Sequence, residues 1–259
     1  MIRRGIMVVS SGTSDEEAIK LSIEAVENKI RNYFSDWEVR RAFTSEAIIK
    51  KIRNKSNIII DTIEEALVKM IDEGFECVIV QPLHIIPGSE YEKVVELIKK
   101  YKNEFVNIKL GRPVLYYEED FNIAVKALKS QIPIMDKDEA VVLVGHGTKH
   151  NSNIYYKKFQ DEINRKGINV YVITLGEYPS IYDIIQKLKE DNIKKIILMP
   201  YMLVFGEHGR KDISGDGEDS CKSLLEKAGF RVSLYMHGIG ENEKYQEIYM
   251  QHIKDAIEA

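Results

Sequence analysis

The sequence predicts an α/β protein made of two similar halves, each with a parallel sheet covered by helices on both faces. Three observations predict it. Short β-rich apolar runs alternate strictly with longer amphipathic segments along the 259 residues. The apolar runs are near-continuous Val/Ile stretches, as strands buried on both faces require. Strand-and-loop patterns of the first half also recur in the second.

Taken in order, the strands are expected at 5–10 (GIMVVS), 37–43 (WEVRRAF), 76–81 (ECVIVQ), 106–110 (VNIKL), 140–144 (AVVLV), 169–174 (NVYVIT) and 195–199 (KIILM), each rich in β-branched or aromatic residues. Between and after them, apolar residues return at helical spacing over 14–33, 62–73, 91–101, 121–130, 154–166, 181–191, 219–228 and 243–257. GIMVVSSGTS at 5–14 parallels AVVLVGHGTK at 140–149, VRRAFTS from Val39 parallels VITLGEYPS from Val172, and CVIVQPLHIIPGSE from Cys77 parallels KIILMPYMLVFGEH from Lys195. On this reading Ser11 is matched with His146, Ala42 with Glu177, and Glu90 with His208. The charged stretch 135–139 is the expected linker, giving an N-terminal half at 1–134 and a C-terminal half at 139–259, whose last helix is allowed to pack on the N-terminal half.

Composition narrows the function classes. Thirty-seven Lys and Arg against 41 Asp and Glu, interspersed, leave a net charge of -4 and no basic face for nucleic acid. With 44% hydrophobic and 30% charged residues, disorder and collagen are excluded. No sustained heptad supports a coiled coil. Cys77 and Cys221 are far apart and lack CxxC partners, which argues against a disulfide framework and a thiolate zinc site and fits a reducing compartment. The apolar run 6–9 is too short for a signal-peptide core, and the longest greasy stretch, 196–205, is broken by Pro200. The expectation is a soluble, cytoplasmic protein without membrane contact. The oligomeric state is left open, a homo-oligomer included.

Ligands of open parallel α/β sheets bind beyond the carboxyl ends of the strands. The polar residues expected there are His146, Glu177 and His208, the last in the loop after its strand, with Glu90 in the first half. Two imidazoles and a carboxylate suit a divalent first-row ion such as Co²⁺, Ni²⁺, Fe²⁺ or Zn²⁺, with coordination positions left open. Equally, His146 could cap a helix, His208 be a solvated loop residue and Glu177 lie on the surface. His84, inside the apolar QPLHIIPG run, reads first as a packed histidine, and His150, His237 and His252 as exposed or structural. Gly12-Thr13 and Gly147-Thr148 offer backbone N–H groups to an anion. No GxGxxG or GxxxxGK[ST] is present, so a nucleotide reading is weak and no organic cofactor is expected.

The ordered series VVSSGTS, RAFTSEAIIKKI, QPLHIIPGSEYEKV, VGHGTKH, GEYPS and MPYMLVFGEHGRKDI resembles the class II tetrapyrrole chelatases. Among them it resembles the long, single-chain anaerobic sirohydrochlorin cobaltochelatases of cobalamin biosynthesis, over essentially the whole chain. The resemblance implies two Rossmann-like or flavodoxin-like halves related by a pseudo-two-fold, with an active-site cleft between them. It implies sirohydrochlorin, or its precorrin-2 precursor, as substrate and Co²⁺ as substrate metal. His146 and His208 match the family's metal-binding histidines, and Glu177 an acidic position that joins them in some members. Glu90 matches the catalytic acid, assigned either to the metal or to proton removal. Ser11 stands where the family often has phenylalanine.

Metal insertion requires stripping water from the ion, removing two pyrrolic protons and bending the ring, which metal ligands together with a carboxylate could accomplish. A polycarboxylate macrocycle needs cationic or N–H partners, for which Lys149, Arg210 and Lys211 are candidates; Ser11, Thr13 and His84 are further candidate substrate contacts. A nickel or iron chelatase of the same class and a non-catalytic metal or tetrapyrrole carrier are the alternatives.

Overall fold

The structure is a computed structural model; it describes residues 2–55, 58–148 and 151–259, with His208 described in its backbone only. In chain order the elements are β1 (Arg4–Ser10), α1 (Glu16–Ala18), α2 (Glu24–Tyr33), β2 (Glu38–Phe43), α3 (Glu46–Lys55), β3 (Asp61–Thr62), α4 (Ile63–Asp72), β4 (Cys77–Pro82), α5 (Ser89–Tyr101), β5 (Asn107–Leu110) and α6 (Glu118–Lys129). They continue as β6 (Glu139–Gly145), α7 (Ile154–Arg165), β7 (Val170–Thr174), α8 (Ile181–Glu190), β8 (Lys195–Pro200), α9 (Glu207–Asp212), α10 (Cys221–Lys227), β9 (Arg231–Leu234) and α11 (Glu243–Glu258). A π-helical turn, Ile19–Ile23, joins α1 to α2. The chain forms two compact units, Met1–Val114 with Tyr245–Ala259, and Leu115–Lys244.

In unit 1 a parallel sheet has the strand order β3-β2-β1-β4-β5. Gly5 to Ser10 of β1 are all buried, as a central strand covered on both faces requires. Met7, Val9, Val78 and Val80 pack with Leu67 and Met70 of α4 and Val94 of α5. Helix α4 turns this face inward because Ile63, Ala66, Leu67 and Met70 recur at helical spacing. Its start is set by a capping box, in which Glu65 N–H donates to Thr62 Oγ1 at 3.1 Å and Thr62 N–H to Glu65 Oε2 at 2.8 Å. The fully buried Glu27 of α2 is held by Arg41 of β2, with Nε to Oε1 at 2.6 Å and Nη2 to Oε2 at 2.8 Å. A buried carboxylate is tolerable only with such two-pronged pairing.

Helix α11 completes unit 1. Arg112 pairs with Asp255 at 2.6 Å, His252 Nδ1 bonds the Arg112 carbonyl at 2.9 Å, and the Tyr249 hydroxyl donates to the Leu83 carbonyl at 3.0 Å. Helix α6 instead belongs to unit 2, where Phe121 stacks on Tyr155 of α7 with ring centroids 6.2 Å apart. The units therefore divide after Val114 and after Lys244, and not at the charged stretch 135–139. Charge marks a solvated connection, whereas the packing of α6 against α7 decides unit membership.

In unit 2 the parallel sheet has the order β7-β6-β8-β9. Val142, Val144, Ile196 and Leu198 form its core with Ile184 and Leu188 of α8 and Leu225 of α10. The expected strands and helices lie within one to three residues of those observed. Four elements went unexpected: α3, β3, α9 and β9. β3 is two residues long and β9 is an edge strand of sequence RVSL with three exposed positions, so neither carries an apolar run. In α3, Ile48 N–H reaches Ser45 Oγ at 3.4 Å, marking a helix start between two strands of one βα unit. Among the described residues no helix is long and apolar enough to cross a membrane.

Candidate active site

In each sheet the first strand lies between neighbours reached in opposite directions, β1 between β2 and β4 and β6 between β7 and β8. Such a reversal leaves an opening at the carboxyl ends of the strands, where ligands of this architecture bind. The two units build that end alike. Thr44 N–H donates to the Ser10 carbonyl at 2.9 Å and Leu83 N–H to that of Val9 at 2.7 Å; in unit 2, Leu175 N–H donates to Gly145 at 3.1 Å and Tyr201 N–H to Val144 at 2.8 Å. Gly12 and Gly147 follow with φ of 79° and 75°. A Cβ on Gly12 would strike the Phe43 ring, and one on Gly147 would lie 2.8 Å from Thr174 Cβ. Only glycine fits both the conformation and the space.

This correspondence corrects one sequence match. Phe43 pairs in register with Ser10 and Thr174 with Gly145, so Phe43 and Thr174 are equivalent and Ala42 is not the counterpart of Glu177. Ser11 and His146 do correspond, each one residue past its strand. Glu90 and His208 also correspond, each the second residue of a helix capped by glycine, Gly88 or Gly206. His208 thus opens α9 and is not a loop residue. The six-residue helix was overlooked because GEHGRKDI contains two glycines and no apolar face.

In unit 1 the strand ends gather buried polar atoms that have no hydrogen-bond partner: Ser10 Oγ, Thr44 Oγ1, both ring nitrogens of His84 and Glu90 Oε2. Buried polar groups are normally satisfied, so such a cluster is expected where a ligand supplies the missing partners. Burial pushes the His84 ring down to about 4, although the Glu90 carboxylate beside it acts in the opposite direction. His84 is consequently neutral near pH 7. Partial burial of Glu90 opposes its charge, yet its carboxyl is held below the usual carboxylate range, chiefly by the Lys93 ammonium 2.6 Å from Oε1. Ser10 and Thr44 were not expected from sequence; their position at the ends of β1 and β2 was the available signal.

In unit 2 the exposed His146 follows β6 directly. Glu177, half-buried, sits in the tight turn after β7, where Thr174 Oγ1 donates to the Glu177 carbonyl at 2.8 Å and Thr174 N–H to that of Pro179 at 2.6 Å. The Tyr178–Pro179 bond in this turn is cis. Among the described residues no three His, Cys, Asp or Glu side chains form a metal-binding group, and the side chain of His208 lies outside the description.

The remaining candidates divide. Ser11 is exposed. Thr13 is buried and its Oγ1 accepts from Asp15 N–H at 3.2 Å, so it shapes its own turn. Arg210 is exposed on α9. Lys149 and His150 lie outside the described residues. The Thr148 turn is closed by Asn153, whose Oδ1 accepts from Thr148 N–H at 3.0 Å and whose Nδ2 donates to the Thr148 carbonyl at 2.7 Å.

A family model described as cobalt chelatase (CbiK) matches residues 4–258. The chain belongs to the cobalt chelatase family. It is 32% identical over 256 residues to a sirohydrochlorin cobaltochelatase of Salmonella typhimurium, covering 99% of this chain and 97% of that one. It is 31% identical over 265 residues to a sirohydrochlorin cobaltochelatase of Nitratidesulfovibrio vulgaris, covering 100% of this chain and 92% of the relative. The fold is similar to that of SirB from Bacillus subtilis with Fe³⁺, with a TM-score of 0.65 at 16% identity, covering 98% of this chain and 96% of that one. In a cobalt chelatase the polar groups at the strand ends have a task, since inserting a metal needs ion ligands and proton acceptors.

Proposed function

We propose that this chain inserts Co²⁺ into sirohydrochlorin with release of two protons, in the cytoplasm and in the anaerobic route to cobalamin. The observation that carries the reading is the set of polar residues at the carboxyl ends of both sheets, in a chain matched over nearly its full length by the cobalt chelatase family. Among these residues, His146 and His208 hold the incoming Co²⁺ with Glu177 and leave positions open for the ring nitrogens. Glu90 takes up the pyrrolic protons, being a carboxylate near neutral pH with Oε2 unpartnered, and passes them on to water. Arg210 and Lys149 contribute positive charge for the substrate carboxylates. No organic cofactor is required, because metal exchange for protons transfers no electrons.

The test mixes metal-free protein anaerobically with sirohydrochlorin and Co²⁺ and follows the visible spectrum of the macrocycle, with Ni²⁺ and Fe²⁺ in parallel. Accelerated insertion with cobalt preferred is expected. Preference for nickel or iron would reassign the metal, and tight Co²⁺ binding without turnover would make the protein a carrier. His146→Ala and His208→Ala should each slow insertion by 100-fold or more at limiting Co²⁺; wild-type rates in both would refute the ligand assignment.

A further inference from the structure

We propose that His84 is the first acceptor of the pyrrolic protons and passes them to Glu90, so that unit 1 carries a two-group proton relay; the inference rests on the chelatase reading above. Its basis is geometric. Both ring nitrogens of His84 are buried and have no hydrogen-bond partner, and the same is true of Glu90 Oε2. A histidine serving only to pack a core normally bonds at least one nitrogen, because a buried polar atom left bare costs about 1–3 kcal/mol. Glu90 is close enough for its charge to act on the ring, and its other oxygen is held by Lys93 at 2.6 Å, so Oε2 is the oxygen left to receive a proton.

The backbone around His84 is fixed from three sides. Leu83 N–H donates to the Val9 carbonyl at 2.7 Å, the Leu83 carbonyl accepts from the Tyr249 hydroxyl of α11 at 3.0 Å, and the His84 carbonyl accepts from Val114 N–H at 3.1 Å. Three anchors on two residues hold the ring's point of attachment in place at the end of β4, as a group that must meet a reacting atom requires. Burial also keeps the imidazole neutral, leaving it a lone pair at neutral pH.

The step balances. A neutral imidazole nitrogen takes the proton of a pyrrole N–H, and the electrons of that bond stay on the pyrrole nitrogen. The other ring nitrogen of the imidazolium gives its proton to the Glu90 carboxylate, which restores a neutral imidazole, and Glu90 releases the proton to water. This leaves the N–H on the nitrogen that faces the macrocycle; that proton passes to water while the nitrogen facing Glu90 takes one back from water, and with the tautomer reset the second pyrrole proton follows the same route. Co²⁺ accepts the two electron pairs left on the ring, two protons reach solvent, and nothing is oxidised or reduced.

The experiment compares His84→Gln, His84→Phe and Glu90→Gln with wild type in the full chain. Anaerobic Co²⁺ insertion into sirohydrochlorin gives kcat and KM, and metal-free titration of the macrocycle gives its affinity. A lost proton acceptor predicts a kcat about 100-fold lower in each variant. KM for Co²⁺, macrocycle affinity and the thermal midpoint of His84→Gln should stay close to wild type, whereas a packing role would shift affinity and midpoint together. A His84→Phe variant that inserts cobalt at the wild-type rate overturns the relay even if Glu90→Gln is inactive, and leaves the chelatase reading standing. A fully active Glu90→Gln overturns the second member. A wild-type protein that inserts no metal overturns the chelatase reading itself.

Discussion

Gly147 connects two of the proposed metal ligands through one close contact. Substituting alanine there incurs the left-handed penalty of about 1–2 kcal/mol, because φ is 75°. It also places a Cβ 2.8 Å from Thr174 Cβ and 3.0 Å from Thr174 Oγ1. Overpacking of this kind adds about 1–3 kcal/mol. The displaced Thr174 is the residue whose hydroxyl and N–H pin the Glu177 turn. Gly167 is the matched control in the same unit, with φ of 61° and open space where a Cβ would stand. Gly167→Ala should therefore cost about 1–2 kcal/mol in urea unfolding and leave KM for Co²⁺ unchanged, whereas Gly147→Ala should cost about 2–5 kcal/mol and raise that KM. Equal losses in the two variants, with cobalt KM unaltered in both, would refute the reasoning.

Further outcomes follow from other contacts. Arg41→Met leaves the fully buried Glu27 with Arg31 alone, its Nη2 3.0 Å from Oε2, and should destabilise by about 1–3 kcal/mol in denaturant unfolding; no measurable loss would contradict the pairing. Because folding lowers the His84 pKa to about 4, the unfolded chain binds a proton there that the folded chain does not. Stability from this group is full above about pH 6.5 and is lost as pH falls toward 4, by at most about 3 kcal/mol. Glu90 and, beyond it, Lys93 are the charged neighbours that modulate this loss, and His84→Phe should flatten stability curves between those pH values. Thr62→Ala, which breaks the capping box of α4, should cost about 1 kcal/mol by the same unfolding assay.

Much of this was legible in the chain. The central strands β1, β4, β6 and β8 read as apolar runs because both their faces are covered, and the pairs Gly12/Gly147 and Gly88/Gly206 showed in the repeat because strand, turn and helix start recur together. What escaped notice had physical reasons. β9 is an edge strand with three of its four residues exposed, so RVSL carries no apolar run to mark it. The match of Ala42 with Glu177 failed because counting residues cannot see register, which hydrogen bonds at Ser10 and Gly145 set. His84 read as a packed histidine because its neighbours are apolar. That its nitrogens lack partners is a three-dimensional fact no local pattern encodes.

The exchange of terminal helices bears on how the chain is made. Unit 1 takes α11 from residues separated from its last strand by the whole of unit 2. During synthesis, sheet β3-β2-β1-β4-β5 emerges first but must wait for Asp255, His252 and Tyr249 before Arg112 and Leu83 find their partners. The backbone that carries His84 thus acquires its final anchor only after unit 2 has left the ribosome. A chain truncated before Tyr245 would retain every strand of both sheets while Leu83, next to His84, still lacked its bond from Tyr249.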